Sequence, residues 1–203
     1  KFKGLFRPNS EAEVIDMVRA CASKKMSLTA QGLRSSLTGA AICEKGAALS
    51  LERMNRLIDI DVKRKSAVME PGIILDHFKS LVEDVGLMYA PDPTSAQECT
   101  LGGNVATNAS GSRSLKYGAT IDWVQGLRIV DGRGRVLEVK NGISGKVCAG
   151  YGAMYRPTQL FVGSEGTLGI VTRIEVSLTE LPSNVFVGIV FFRDLKSAID
   201  FTI

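Results

Sequence analysis

Leu101-Gly102-Gly103-Asn104-Val105-Ala106-Thr107-Asn108-Ala109-Ser110-Gly111 is the stretch on which the reading of this chain turns. Bulky side chains are nearly absent from Gly102 to Gly111, so a flat ligand can lie directly against backbone, with Ser95, Thr107 and Asn108 as polar contacts. Just upstream, Pro91-Asp92-Pro93 breaks the chain and introduces Thr94-Ser95-Ala96-Gln97-Glu98-Cys99-Thr100. Tyr117-Gly118 and Asp122 follow downstream.

Two other segments carry a comparable texture. Gln31-Gly32-Leu33-Arg34-Ser35-Ser36-Leu37-Thr38-Gly39 leaves a predicted strand as a loop whose successive amides can converge on an anion, with Gly32 permitting close approach and Arg34 adding charge. Gly163-Ser164-Glu165-Gly166-Thr167-Leu168-Gly169-Ile170-Val171-Thr172 is a glycine turn running into a long strand. Taken singly, each reads as an ordinary surface loop or tight turn. The usual nucleotide motifs are missing: Gly142 to Val147 has neither the spacing nor the Ser/Thr of a P-loop, and no GxGxxG opens a helix after a strand.

Around these segments the chain alternates helix and strand. Ser10-Glu11-Ala12-Glu13 has the form of a capping box, predicting a helix over about 11–24 with Val14, Val18 and Ala22 on its inner face. Short strands are expected at Ser27–Ala30, Ala47–Leu51, Leu57–Ile60 and Ala67–Met69. Ile74, Phe78, Leu81, Val82 and Val85 mark a second amphipathic helix ended by Gly86. Leu127–Val130 and Val136–Val139 flank an Asp131-Gly132 turn as a hairpin. Leu168, Ile170, Ile174, Val176 and Leu178 share one parity, the mark of a strand with one buried face, and Pro182 closes it. Val185–Phe192 reads as a further strand and Leu195–Ile199 as the start of a helix.

The 203 residues, 45% of them apolar, can support a sizeable core. The net charge of +4 is scattered, and its one dense cluster, Lys63-Arg64-Lys65, suits a solvated turn better than nucleic acid, which is not expected as a partner. Cys21, Cys43, Cys99 and Cys148 form no CxxC pair and His77 is the sole histidine, so neither a metal site nor a Cys-His pair is expected. No run of about 18 apolar residues occurs and the N-terminus lacks the apolar core of a signal peptide. The expected location is cytoplasmic, with peripheral membrane association of a longer protein left open.

In this order and spacing, the three segments resemble the FAD-binding domain of the vanillyl-alcohol oxidase and p-cresol methylhydroxylase (PCMH) type. The resemblance spans Arg7-Pro8 to about Pro182, and its Gly111-Ser112-Arg113-Ser114-Leu115-Lys116-Tyr117-Gly118 continuation is similar to the glycolate and D-lactate dehydrogenase-like branch. It implies an α+β fold of two subdomains, a small parallel or mixed sheet and a larger antiparallel one, with FAD between them. The divisions expected are 1–86, 87–182, and 183–203 as the opening of a substrate or cap domain. Cofactor contacts are implied at Gln31, Gly32, Leu33, Arg34, Ser35, Ser36 and Leu37, with the pyrophosphate on Gly32 to Ser36. Further contacts fall at Pro93, Ser95, Thr100, Leu101, Gly102, Gly103, Thr107, Asn108, Ser110, Gly111, Tyr117 and Gly118, and at Glu165, Gly166, Gly169, Ile170 and Val171.

Relatives commonly place Gly or Asn where this chain has Arg34, and the first loop lacks the histidine that members with covalent flavin often use, so the FAD is expected to be non-covalent. The resemblance implies oxidation of a small-molecule 2-hydroxy acid of the glycolate, D-lactate or D-2-hydroxyglutarate type. An alkylglycerone-phosphate synthase-like transferase and a flavin-binding module without catalysis are the alternatives. The residues name neither an electron acceptor nor a catalytic acid or base.

Overall fold

The structure, a computed structural model, describes residues 2–142 and 156–202. Cys148 and residues 143–147 of the segment rejected as a P-loop lie outside the described residues.

The chain opens with β1 (Phe2–Phe6), α1 (Glu11–Ser23), β2 (Leu28–Gln31) and β3 (Gly46–Ser50). The three strands form a parallel sheet in the order β1-β3-β2. Ser10 caps α1 by accepting from the Glu13 amide, while the Glu13 carboxylate takes the Asn9 amide, one residue before the cap position expected. The buried face of α1 is Val14, Val18 and Cys21, and Ala22 is exposed. At 100° per residue, a step of seven returns to the same face within about 20°, whereas a step of eight overshoots by about 80°. Cys21 therefore replaces Ala22 in the stripe.

Next come β4 (Leu57–Asp61), β5 (Ser66–Met69), α2 (Leu75–Glu83), β6 (Leu87–Met88), α3 (Leu101–Thr107), α4 (Ser114–Tyr117) and α5 (Thr120–Trp123). They are followed by β7 (Val124–Val130), β8 (Val136–Lys140), a 3-10 turn at Pro157–Leu160, β9 (Ile170–Ser177), β10 (Thr179–Glu180) and α6 (Leu195–Thr202). The larger sheet is antiparallel in the order β4-β5-β9-β7-β8. Strands β4 and β5 precede residue 86 yet pair into this second sheet, so the sheets do not follow the division expected there.

On α2 the buried residues are Leu75, Phe78, Lys79 and Val82, with Ile74 and Val85 outside the helix and exposed. The predicted parity of β9 holds from Ile170 through Ile174, Val176 and Leu178, all buried; Leu168 precedes the strand and is exposed because period-two alternation exists only within paired backbone. Val185 to Phe192 forms no strand. A strand persists only where its amides and carbonyls find a partner edge, and none lies beside this segment among the described residues.

Most of the core lies between the antiparallel sheet and α2, α3 and α5, around Phe78, Tyr89, Leu101, Ile129 and Ile174. A second cluster, with Val14, Val18, Leu49, Met54, Val130 and Ile170, joins α1 and β3 to β7 and β9. A polar clamp reinforces it: Arg128 Nε donates to both Glu11 carboxylate oxygens at 2.8 and 2.9 Å, and Thr172 Oγ1 donates to one of them at 2.6 Å. Burial would raise the Glu11 pKa, but the hydrogen bonds from Arg128 and Thr172, with the charges of Arg128 and Arg173, hold it below the usual carboxylate value. The two units therefore meet through shared apolar packing and a charge-assisted contact, leaving a groove beside the junction.

Candidate functional site

The first segment leaves β2 at Gln31 and crosses toward α3. A Cβ at residue 32 would lie 2.4 Å from Thr100 Oγ1, so only glycine allows the loop to abut the start of α3. The amides of Leu33 to Ser36 donate to no protein acceptor among the described residues. Arg34 sits at φ +62°, in the left-handed region where successive N–H groups can turn toward one point. Gly or Asn would adopt this conformation at less cost.

The second segment is a helix rather than an open loop. Thr100 caps α3 by accepting from the Gly103 amide, and Asn108 ends it at φ +49° while its Oδ1 takes the Ile121 amide. Gly102 packs against Pro71, where an added Cβ would lie 2.6 Å from the ring and 2.8 Å from the carbonyl oxygen. At Gly103 an added Cβ meets only Thr100 Oγ1, at 3.3 Å. The third segment is pinned onto the end of the same helix, with the Gly163 amide donating to the Val105 carbonyl and the Glu165 amide to that of Ala106, both at 2.8 Å.

All three segments meet in one cleft of about 710 Å³, counting open solvent, and an adjoining recess of about 530 Å³. Gly32, Thr100, Gly103 and Glu165 line both, so the two are one groove. Gln31 to Ser36, Ser95 and Thr107 face the cleft; Gly102, Gly166, Gly169, Ile170 and Val171 face the recess. Other residues expected at the site lie elsewhere. Leu37 is fully exposed on the far side of its loop, and Leu101 is fully buried in the core. Pro93, Asn108, Ser110, Gly111, Tyr117 and Gly118 line neither cavity. Gly111 has a packing role, since a Cβ there would lie 1.8 Å from the Asp92 carbonyl oxygen.

Sequence reasoning missed Asn104 and Cys99, both in the cleft wall. Helical period supplies the signal once α3 is recognised: Thr100, Gly103, Asn104 and Thr107 are spaced i, i+3, i+4, i+7 and share the cleft-facing side. Asn104 is 2% exposed, and its Nδ2 is buried without a hydrogen-bond partner. A buried donor left unmade costs about 1–3 kcal/mol, so this is an unmet demand in the cleft wall. Burial pushes the Cys99 thiol up against the opposing influence of Ser95, Asn104 and Lys79, which keeps it neutral and weakly nucleophilic. Also unforeseen is the ion cluster under the Pro91-Asp92-Pro93 turn, where the Asp92 carboxylate accepts from the largely buried Lys79 ammonium and lies 3.3 Å from Arg113 Nε.

Free amides around a left-handed residue at one end, an unpaired buried donor in the wall and a helix face of glycine and small polar side chains suit a long ligand with an anionic segment and a flat polar ring. A family profile described as an FAD binding domain matches residues 2–140. The chain belongs to this family of FAD-binding domains. FAD is its cofactor, and the parallel unit beside an antiparallel sheet is the PCMH-type fold. Over 176 residues this FAD-binding domain is 37% identical to a D-2-hydroxyglutarate dehydrogenase of Xanthomonas citri pv. viticola, covering 86% of this chain and 36% of that one. A D-lactate dehydrogenase of Anaerostipes hadrus is 34% identical, covering 96% and 40%, and the glycolate oxidase subunit GlcD of Bacillus subtilis is 35% identical, covering 94% and 40%. Among solved structures, an alkyldihydroxyacetonephosphate synthase superposes with a TM-score of 0.75 at 28% identity, covering 89% of this domain and 32% of the synthase. The domain thus spans about two fifths or less of the length of each relative.

Proposed function

We propose that this domain supplies the flavin site of an oxidoreductase acting on a small 2-hydroxy acid. The groove between the two units carries the reading, because its three walls are the three segments whose combination marks the family. In this assignment the loop from Gln31 to Ser36 holds the pyrophosphate, with Arg34 adding charge. The α3 face of Thr100, Gly103, Asn104 and Thr107 and the stretch from Glu165 to Val171 hold the rest. Bound FAD supplies a hydride acceptor. The chain's own groups orient it, exclude water from its buried faces and meet its acceptors with Asn104. No histidine lines the groove, and His77 is exposed on α2, which supports non-covalent attachment. We assign no substrate base to this domain.

The substrate class rests on the names of the relatives, since 2-hydroxyglutarate, lactate and glycolate are all 2-hydroxy acids. Likeness to alkyldihydroxyacetonephosphate synthase supports a second reading, a non-redox transfer on the same scaffold. Denaturing the protein and chromatographing the released cofactor should yield FAD. Anaerobic mixing of the enzyme carrying this domain with D-2-hydroxyglutarate, D-lactate or glycolate should bleach the flavin absorbance saturably with one of them. Retained FAD with no bleaching by any 2-hydroxy acid would favour the transferase.

A further inference from the structure

The parallel register of β1, β3 and β2 brings the beginnings of all three strands to one end of the domain, with Phe2 opposite Gly46 and Leu28 opposite Ala47. Lys3 and Lys45 sit at that end. The turn after α1 brings Lys24 and Lys25 to it, since the Met26 amide donates to the Cys21 carbonyl, and Ser27 Oγ donates to the Lys45 carbonyl at 2.8 Å. All four lysines are exposed, and none is ion-paired among the described residues. Between residues 24 and 46 the only carboxylate is Glu44, against Lys24, Lys25, Arg34 and Lys45.

A second, independent feature adjoins this charge. Between β1 and the loop that crosses the sheet runs an open apolar groove lined by Phe2, Leu5, Leu37, Ile42 and Cys43. Phe2 is 51% exposed, Ile42 68% and Leu37 fully exposed. Arg34 lines its inner end and also the cofactor cleft.

We propose that this end of the parallel sheet docks on an anionic lipid bilayer. Unpaired cations around protruding aliphatic and aromatic side chains match a surface of lipid phosphates over acyl chains, where cations gain from the negative potential and apolar tips enter the interface. A nucleic acid would meet the lysines but leave Phe2, Leu37 and Ile42 unmatched. No helix among the described residues is long and apolar enough to cross a bilayer, and the contact proposed here is made by this surface at the lipid interface. The inference stands apart from the choice of substrate.

The test is flotation of the FAD-loaded protein with vesicles of phosphatidylcholine alone or mixed with phosphatidylglycerol. Binding is expected only to the mixed vesicles and only at low salt. With about fivefold in partition coefficient per lysine near an anionic surface, Lys24→Gln with Lys25→Gln should weaken it by about 25-fold. Ile42→Asp should weaken it and Ile42→Trp strengthen it. Removing equal charge from the β4-β5 turn, by Lys63→Gln with Arg64→Gln, should change it little. The FAD absorption spectrum of each variant reports an intact fold. Absence of binding to mixed vesicles at low salt, or equal loss from the two double variants, would overturn the proposal. So would sedimentation showing a dimer that Ile42→Asp dissociates, which would assign the groove to a second copy.

Discussion

Neighbouring glycines on α3 do different physical work. Gly102 has no room for a methyl group, because Pro71 would be struck at both ring and carbonyl, whereas the space above Gly103 is open apart from Thr100. Gly102→Ala should therefore cost roughly 1–3 kcal/mol of stability through overpacking, measurable in a denaturant melt. Gly103→Trp should leave that melt nearly unchanged and abolish FAD uptake in a fluorescence titration. Equal FAD affinity in Gly103→Trp would remove the α3 face from the cofactor site. Arg34 illustrates a conflict between backbone and charge. A non-glycine residue at φ +62° carries roughly 1 kcal/mol of strain, so Arg34→Asn should raise Tm slightly. The same change removes a cation from the loop assigned to the pyrophosphate, so FAD should bind several-fold more weakly, by a margin that shrinks as salt rises.

At the level of elements, the apolar packing of α1 on the antiparallel sheet is joined by the contact of Glu11 with Arg128 and Thr172. Because the folded-state pKa of Glu11 is depressed, the carboxylate binds its proton less readily in the native than in the unfolded chain. Its contribution is therefore fully present above the unfolded value of about 4.3 and is lost as pH falls through the lower folded value. Glu11→Gln should cost about 1–2 kcal/mol at neutral pH, and the gap from the wild type should close in acid, below the usual carboxylate range. A gap independent of pH in urea melts would show that the contact acts through packing alone. The ion cluster of Lys79, Asp92 and Arg113 holds the turn before α3 in a comparable way. Lys79→Met leaves Asp92 with only the half-exposed Arg113 and should loosen the Ser95 side of the cleft.

For the whole molecule, residues 183–202 stand apart from the two-sheet body. Val185, Phe186, Val187, Ile189 and Phe191 are each at least 77% exposed, and α6 has no buried residue. Apolar surface of this extent invites association. Truncation after Pro182 should leave FAD affinity and Tm unchanged within error while reducing light scattering on concentration; a fall in Tm would mean that the tail covers the body in solution.

Local chemistry in the sequence determined much of this protein. The Ser10 cap and the Val14/Val18 spacing determine α1, the alternation from Ile170 to Leu178 determines the buried face of β9, and the three segments rich in small residues determine the FAD-binding character. These are short-range consequences of dihedral preference and side-chain period, so they can be read from neighbours in the chain. Tertiary structure alone decided that the β4-β5 pair joins β9 through β5 rather than the parallel sheet of β1, β3 and β2 that precedes it in sequence. It decided that Asn104 faces the groove while Leu101 and Asn108 do not, and that Val185 to Phe192 stays unpaired. Sheet pairing depends on which distant edge is free, and a side chain's access to a groove depends on what packs behind its helix. Neither quantity is encoded within the few residues that a pattern spans.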